Sequence, residues 1–407
     1  MLSVLSGIDS FACTSVIFSS KVTADGRPLM WKNRDTGCLD NRLEFFRGEK
    51  YSYFGLVNSG HIVPEVWIGV NESGFSIMNT ASYNIKDDEI PQSEMDKEGI
   101  LMAKALGVCG SVSDFEHYLD TCTRPMGVEA QFGVIDAFGS AAYFEVNNHK
   151  YVKLDINDQK VAPDGYLVVT NFSFSGRQNN RLGVERYQTA NAIIGEMTHC
   201  GVPYEVFPED IFNSLSRSLR NELMGVDFIE NYEVLTSTGV FKGIVADLDF
   251  IPRRSTSSSV VIHGVRPGDN PLGSVFWAVL GYPFTSVAIP VPLCSQDIIP
   301  SYLKSSEGCG NAAMCNLSLF LKNKYIFRFN GSNGQKYMDI STLADKSFYP
   351  YFPGIVSKSE AEIRNEFENI YSRMKDGSLT YDDYILRYRM ISENFYNIFL
   401  TKLEGIL

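Results

Sequence analysis

The chain is expected to be an α+β protein with two packed β-sheets flanked by helices, and three observations predict it. Short apolar runs with strand character recur from residue 14 to residue 291. Several of these runs are paired across Gly or Asn turns, and the groups are broken by segments with helical spacing.

In chain order, the extended candidates are 14–19, 29–33, 51–57, 65–70 and 75–79, the last following the turn Glu72-Ser73-Gly74. Segments 95–108 and 112–119 then carry helical spacing. Strands follow at 132–136, 142–146, 151–154 and 166–171, the first two joined through Asp136-Ala137-Phe138-Gly139. Helices are predicted over 184–197 and 208–223, with Pro208 suited to a first helical turn. Strands 258–263, 275–280 and 287–291 complete a core spanning 13–291. Residues 292–356 lack clear periodicity and read as an irregular extension. Over 357–407 two amphipathic helices, 357–375 and 380–403, are split by Asp376-Gly377. In the first, Ser357 and Glu360 can form a capping box, and Ile363, Phe367, Ile370, Tyr371 and Met374 form a stripe read as core.

A length of 407 residues with 44% hydrophobic content supports one large core or two modest ones. The net charge of −12, with no long run of Lys or Arg, argues against a nucleic-acid partner. No segment approaches the roughly 20 apolar residues that cross a bilayer, so membrane insertion is not expected. The eight cysteines form no CxxC pair, which argues against zinc. Cys309 and Cys315 could close a small loop, but buried free thiols are the preferred reading for most of the set. None of the five histidines lies in a GxSxG, HExxH or papain-like context; His263 reads as a core or edge residue of its strand.

Chemistry concentrates near the start of the chain. Cys13 follows Ser10-Phe11-Ala12, whose small residues lie three and one positions before it, as in a cleavage site. Residues 1–12 therefore read as a leader, either the remnant of an export signal lacking its basic region or a propeptide that the protein removes itself. The first points to a periplasmic or secreted protein, with the cytoplasm as the alternative. Exposed as an N-terminus, Cys13 would carry its own base, because an α-amine with a pKa of about 7.7–8.0 accepts a thiol proton near neutral pH. Further on, Leu29-Met30-Trp31-Lys32-Asn33-Arg34-Asp35 ends an apolar run in an amide, two cations and a carboxylate, which could orient amine and thiol. Simpler readings are a buried strand cysteine and a surface ion pair.

Ala12-Cys13-Thr14-Ser15, the turn Asp25-Gly26 and Lys32-Asn33-Arg34-Asp35 together resemble the start of N-terminal-nucleophile (Ntn) hydrolases. Within them the likeness is to the choloylglycine hydrolases and the penicillin acyl-CoA acyltransferase-like linear-amide hydrolases. The resemblance covers roughly 13–291 and implies a four-layer αββα sandwich, here with a C-terminal helical appendage. It implies a cysteine hydrolase of linear amide C–N bonds that needs no cofactor or metal and acts on a small-molecule amide, possibly as a homo-oligomer. It assigns Cys13 as nucleophile, Asp35 to holding amine and thiol in register, Asn171 as oxyanion donor, and Asn79 and Arg34 to the substrate pocket. An arginine of Ile251-Pro252-Arg253-Arg254, either Arg253 or Arg254, is implied to complete the polar network, with Arg254 assigned to substrate binding. The hairpin within 132–145 is implied to be structural. Lys32 stands where the bile-salt enzymes have Arg, and Arg34 takes the variable position, which counts against a bile-salt substrate; bile-salt conjugates, N-acyl amino acids, penicillin-like amides and small peptides all stay open. Acyl transfer through the same thioester, and a non-catalytic binding protein with its leader retained, are the alternatives.

Overall fold

The computed structural model describes residues 12–60, 64–247, 249–305, 308, 310–331 and 336–407. Residues 1–11 of the expected leader, and Cys309, lie outside them. The remaining seven cysteines are free thiols.

Seven strands consecutive in the chain form one antiparallel sheet: β3 (Asn41–Arg47), β4 (Ser52–Asn58), β5 (Ile68–Asn71), β6 (Ser76–Ala81), β7 (Ala130–Ile135), β8 (Ala141–Val146) and β9 (Tyr151–Asp155). The second antiparallel sheet has six strands, ordered β10 (Tyr166–Val169), β1 (Thr14–Phe18), β2 (Leu29–Asp35), β14 (Thr256–His263), β15 (Val275–Leu280) and β16 (Ile289–Pro292). Between and beyond them, β11 (Arg220–Asn221) pairs with β12 (Val226–Asp227), and β13 (Ile244–Ala246), β18 (Lys336–Asp339) and β17 (Phe329–Asn330) make a small third sheet.

Because side chains alternate along a strand, each large sheet offers two apolar faces, and both are covered. Ile17, Met30, Ile262 and Phe276 of the six-stranded sheet share one core with Leu56, Ile68, Met78 and Tyr143 of the other. The outward residues Val16, Phe18, Trp31, Val261 and Trp277 pack instead with Ile194 of α3 (Val184–Met197), Phe367 of α8 (Phe352–Lys375) and Tyr388 of α9 (Tyr381–Lys402). The far face of the seven-stranded sheet, with Ile77, Phe132 and Phe144, is covered by Met102 and Leu106 of α1 (Glu98–Val108) and Phe115 of α2 (Val112–Thr121). Three cores between four layers make the αββα sandwich, with the C-terminal helix pair docked on its outer face. The stripe behaves as expected, Ile363, Phe367 and Ile370 being buried.

Three expectations change. β3 was not anticipated, because Asn41-Arg42-Leu43-Glu44 lacks an apolar run. The helix expected over 208–223 is only α4 (Pro208–Ile211) with a π turn to Ser216. Beyond it the backbone leaves helical geometry at Arg217 (φ −122°, ψ 31°), whose side chain turns inward, its Nε donating 2.9 Å to Pro283 O and its Nη1 3.0 Å to Glu360. That same Glu360 forms no capping box with Ser357. α8 starts earlier, with Pro353 in its first turn, and Glu360 accepts from Arg217 and from Ala288 N at 2.6 Å. The extension 292–356 is built of short elements, among them α6 (Ala313–Leu321) and α7 (Ser341–Ala344); α5 (Tyr232–Ser237) belongs to the segment before β13.

Candidate active site

Strand register assembles the site. Thr14 lies opposite Asn33 in the β1–β2 ladder and Ser15 opposite Val169 in the β1–β10 ladder, so continuing both ladders sets Cys13 level with Arg34 and Asn171. On the other side of β2, Asp35 pairs with Thr256 across an irregularity between Thr256 and Ser258. A bulge of this kind re-aims a side chain at a strand end, and here the Thr256 hydroxyl meets the Asp35 carboxylate at 2.6 Å.

Cys13 is 6% exposed, with Sγ 3.9 Å from Asp35 O. Arginines grip the carbonyls on both sides of its amide nitrogen: Arg253 Nη2 donates to Ala12 O at 2.9 Å and Arg186 Nη1 to Cys13 O at 2.8 Å. Asp35 is buried and also accepts from Asn33 Nδ2 at 3.1 Å and Arg253 Nε at 2.9 Å. Burial pushes its carboxyl up from the usual range, against the pull of Arg253 and Arg186.

Arg186, from the first turn of α3, is the residue that sequence reasoning missed. Its buried guanidinium also donates to Thr14 Oγ1 at 3.0 Å and Asn171 Oδ1 at 2.8 Å, and its Nε lies 3.3 Å from Asp249 Oδ1. Burial, reinforced by the neighbouring Arg253, brings it down to about 9. Asp249, at a positive φ of 57°, pairs with Arg253 as well, closing a ring of charges around the start of β1.

Asn171 Nδ2 donates to Ala81 O at 3.0 Å, and the main chain around it is fixed by Gln131 Nε2 on Thr170 O and Phe172 O, at 2.8 and 3.0 Å. The Glu145 carboxylate of β8 accepts from Phe174 N at 2.5 Å and Ser175 N at 2.9 Å, so the hairpin expected to be structural shapes the loop after Asn171. Across the sandwich, Lys32 Nζ reaches Asn79 Oδ1 at 2.7 Å and Trp67 O at 2.8 Å; burial lowers it to about 8. Arg34, lowered by burial to about 10, donates to Asn58 Oδ1 at 2.8 Å and stacks 4.8 Å over the Trp67 ring.

The structure thus brings together Cys13, Asp35 and Asn171, with Lys32 placing Asn79 and Arg34 nearby on β2. Of the two arginines offered for the polar network, Arg253 supplies the guanidinium on Asp35, while Arg254 is exposed and its main-chain N donates to Asp247 Oδ2 at 3.1 Å. His263, at the opposite end of β14 from Thr256, lies 2.9 Å from Asp25. Asp87, Asp88 and His149 have metal-ligand spacing, but Asp87 is paired with Lys150 and Asp88 with His149. Among the described residues, no helix is long and apolar enough to cross a membrane.

No protein-family model and no curated protein sequence matches the chain. Among solved structures, the Caenorhabditis elegans ortholog of N-acylethanolamine-hydrolyzing acid amidase aligns over 63% of this chain and 94% of its own, at 15% identity and a TM-score of 0.39. Conjugated bile acid hydrolase from Clostridium perfringens aligns over 72% and 95%, at 13% identity and a TM-score of 0.40. Penicillin V acylase from Agrobacterium tumefaciens aligns over 73% and 89%, at 14% identity and a TM-score of 0.39. At these identities and scores the likeness is remote.

Proposed function

We propose that the protein hydrolyses a linear amide C–N bond of a small molecule, with Cys13 as nucleophile and its own α-amine as base after residues 1–12 are removed. The observation that supports this best is the treatment of the Ala12–Cys13 peptide: the buried Arg186 and the partly buried Arg253 hold the carbonyls on either side of the Cys13 nitrogen, and Arg253 also binds Asp35. A structural strand cysteine needs no such frame.

In this reading the freed amine takes the Cys13 thiol proton and the thiolate attacks the substrate carbonyl carbon. The tetrahedral oxyanion is stabilised by amide N–H donors, Asn171 Nδ2 first and Asn79 Nδ2 second. Each is oriented beforehand by a cation on its Oδ1, Arg186 for Asn171 and Lys32 for Asn79. As the C–N bond breaks, the Cys13 ammonium returns its proton to the leaving amine. Water, losing a proton to the same amine, attacks the thioester, releases the acid and restores the thiol. Asp35, tied to Arg253 and Thr256, holds the strand end that carries this amine. Arg34 and Asn79 border the acyl group, and the exposed Arg254 is assigned to substrate binding, Arg253 being engaged on Asp35.

A panel of amides assayed for amine release tests the reading. Parent protein should release equal amounts of amine and free acid from at least one amide class, and Cys13→Ala should release neither. Turnover surviving in Cys13→Ala would remove the proposal.

A further inference from the structure

Lys322 follows α6 in the extension, far in sequence from the motif, yet it is 1% exposed and ends under the active-site turn. Its ammonium donates to Arg254 O and, at 3.3 Å, to Thr256 O. These carbonyls belong to the turn whose Arg253 guanidinium and Thr256 hydroxyl bind Asp35. The Tyr282 and Phe327 rings enclose the ammonium, at 5.1 and 5.6 Å to their centroids. Burial brings it down to about 7.

Placing an ammonium here is costly, since a buried cation forfeits several kcal/mol of hydration and a packed apolar side chain would be the more stable filling. The surroundings are built to hold it. α6 sits directly against the end of β15, where Gly281, at a φ of 88°, leaves room that a Cβ would lose by lying 2.4 Å from Ser318. Ser318 Oγ then accepts from Tyr282 N at 2.8 Å, which fixes the backbone beside one of the enclosing rings.

We propose that Lys322 is a positioning residue for the Cys13 centre: by holding the carbonyls of Arg254 and Thr256 it keeps Arg253 and Thr256 in register with Asp35, so the extension is a working part of the active site. The proposal rests on the reading of Cys13 as nucleophile. It assigns no substrate contact to Lys322, whose effect passes through the turn.

The test uses the full chain with Lys322→Met, which keeps the length and loses the donors, and Lys322→Gln, which keeps two N–H donors on a shorter stem. Iodoacetamide labelling of Cys13 without substrate and amide turnover are both measured. Lys322→Met should slow both by about 10- to 100-fold, the scale of a small misplacement of reacting groups, with a melting temperature near the parent value. The double variant Lys322→Met/Arg253→Ala should be no slower than Arg253→Ala alone, because both changes act through one turn. Lys324→Met, two residues further along the same π turn and bonded to Ile406 O and Leu407 O, should leave both rates unchanged. Lys322→Gln, which keeps donors, should fall between Lys322→Met and the parent. Parental rates in Lys322→Met, a loss in Lys322→Gln as large as in Lys322→Met, or a fully additive loss in the double variant would overturn the proposal. Cys13→Ala run alongside keeps the two ideas apart: turnover that survives there refutes the nucleophile, while the labelling data on Lys322 still report on the turn.

Discussion

At the scale of single residues, the site is two amides and a carboxylate oriented by cations. The role assigned to Asn171 predicts that Asn171→Ala lowers kcat by about 10²–10³ with little change in KM, the scale for removing one oxyanion donor. Arg186→Met should lose at least as much, since it also releases Cys13 O and Thr14 Oγ1, and adding Asn171→Ala to it should cost little more, because Arg186 acts on the oxyanion through the Asn171 amide. A rise in KM alone in Asn171→Ala would move this residue from the oxyanion to ground-state binding. Asp35→Asn should differ in kind, slowing Cys13 alkylation even without substrate, since it weakens the hold on the strand end. Unchanged alkylation would withdraw that role. Cys13, Asp35 and Asn171 stood out in the sequence because each sits at the polar end of an apolar strand. Arg186 did not, because a lone arginine in the first turn of an amphipathic helix looks like every solvated arginine. Likewise nothing local separates Arg253 from Arg254; a main-chain turn decides which guanidinium reaches Asp35.

At the scale of elements, strands with continuous apolar runs were legible and those set by pairing were not. β1, β14 and β15 carry buried residues on both faces and read directly from composition, whereas β3 is an edge strand whose Arg42 and Glu44 conceal its alternation. The end of α4 and the body of α8 are joined by a contact that is distant in sequence, the buried pair of Arg217 and Glu360. Glu360 also accepts from Ala288 N, so it ties α8 to the segment entering β16. Replacing Glu360 with Leu leaves Arg217 buried without its partner and should cost about 3–5 kcal/mol of stability in denaturant unfolding, while the folded fraction retains parental kcat. A cost within about 0.5 kcal/mol, the scale of an ordinary surface change, would show that α8 is not held this way.

At the scale of the whole molecule, the sandwich couples its stability to pH at the end of β14 away from the site. His263 is buried beside Arg27, and burial, then Arg27, bring its pKa from 6.5 to about 4, despite the pull of Asp25. Between these values the unfolded chain binds a proton that the folded chain refuses, so stability falls as pH drops from about 6.5 to about 4. His263→Gln should flatten this part of the acid-unfolding curve, and an unchanged slope would assign the loss to other groups. The four layers also explain why Cys13 stands where it does: β1 is an inner strand flanked by β10 and β2, so a cysteine at its start is framed from both sides. In the proposed reaction Cys13 works as a free N-terminus, and this is checked by N-terminal sequencing of the purified, turnover-competent protein coupled to iodoacetamide labelling. The chain should begin at Cys13, with label on Cys13 and loss of activity in proportion to labelling. Full activity in protein that still carries residues 1–12, or in protein whose Cys13 is fully alkylated, would contradict it.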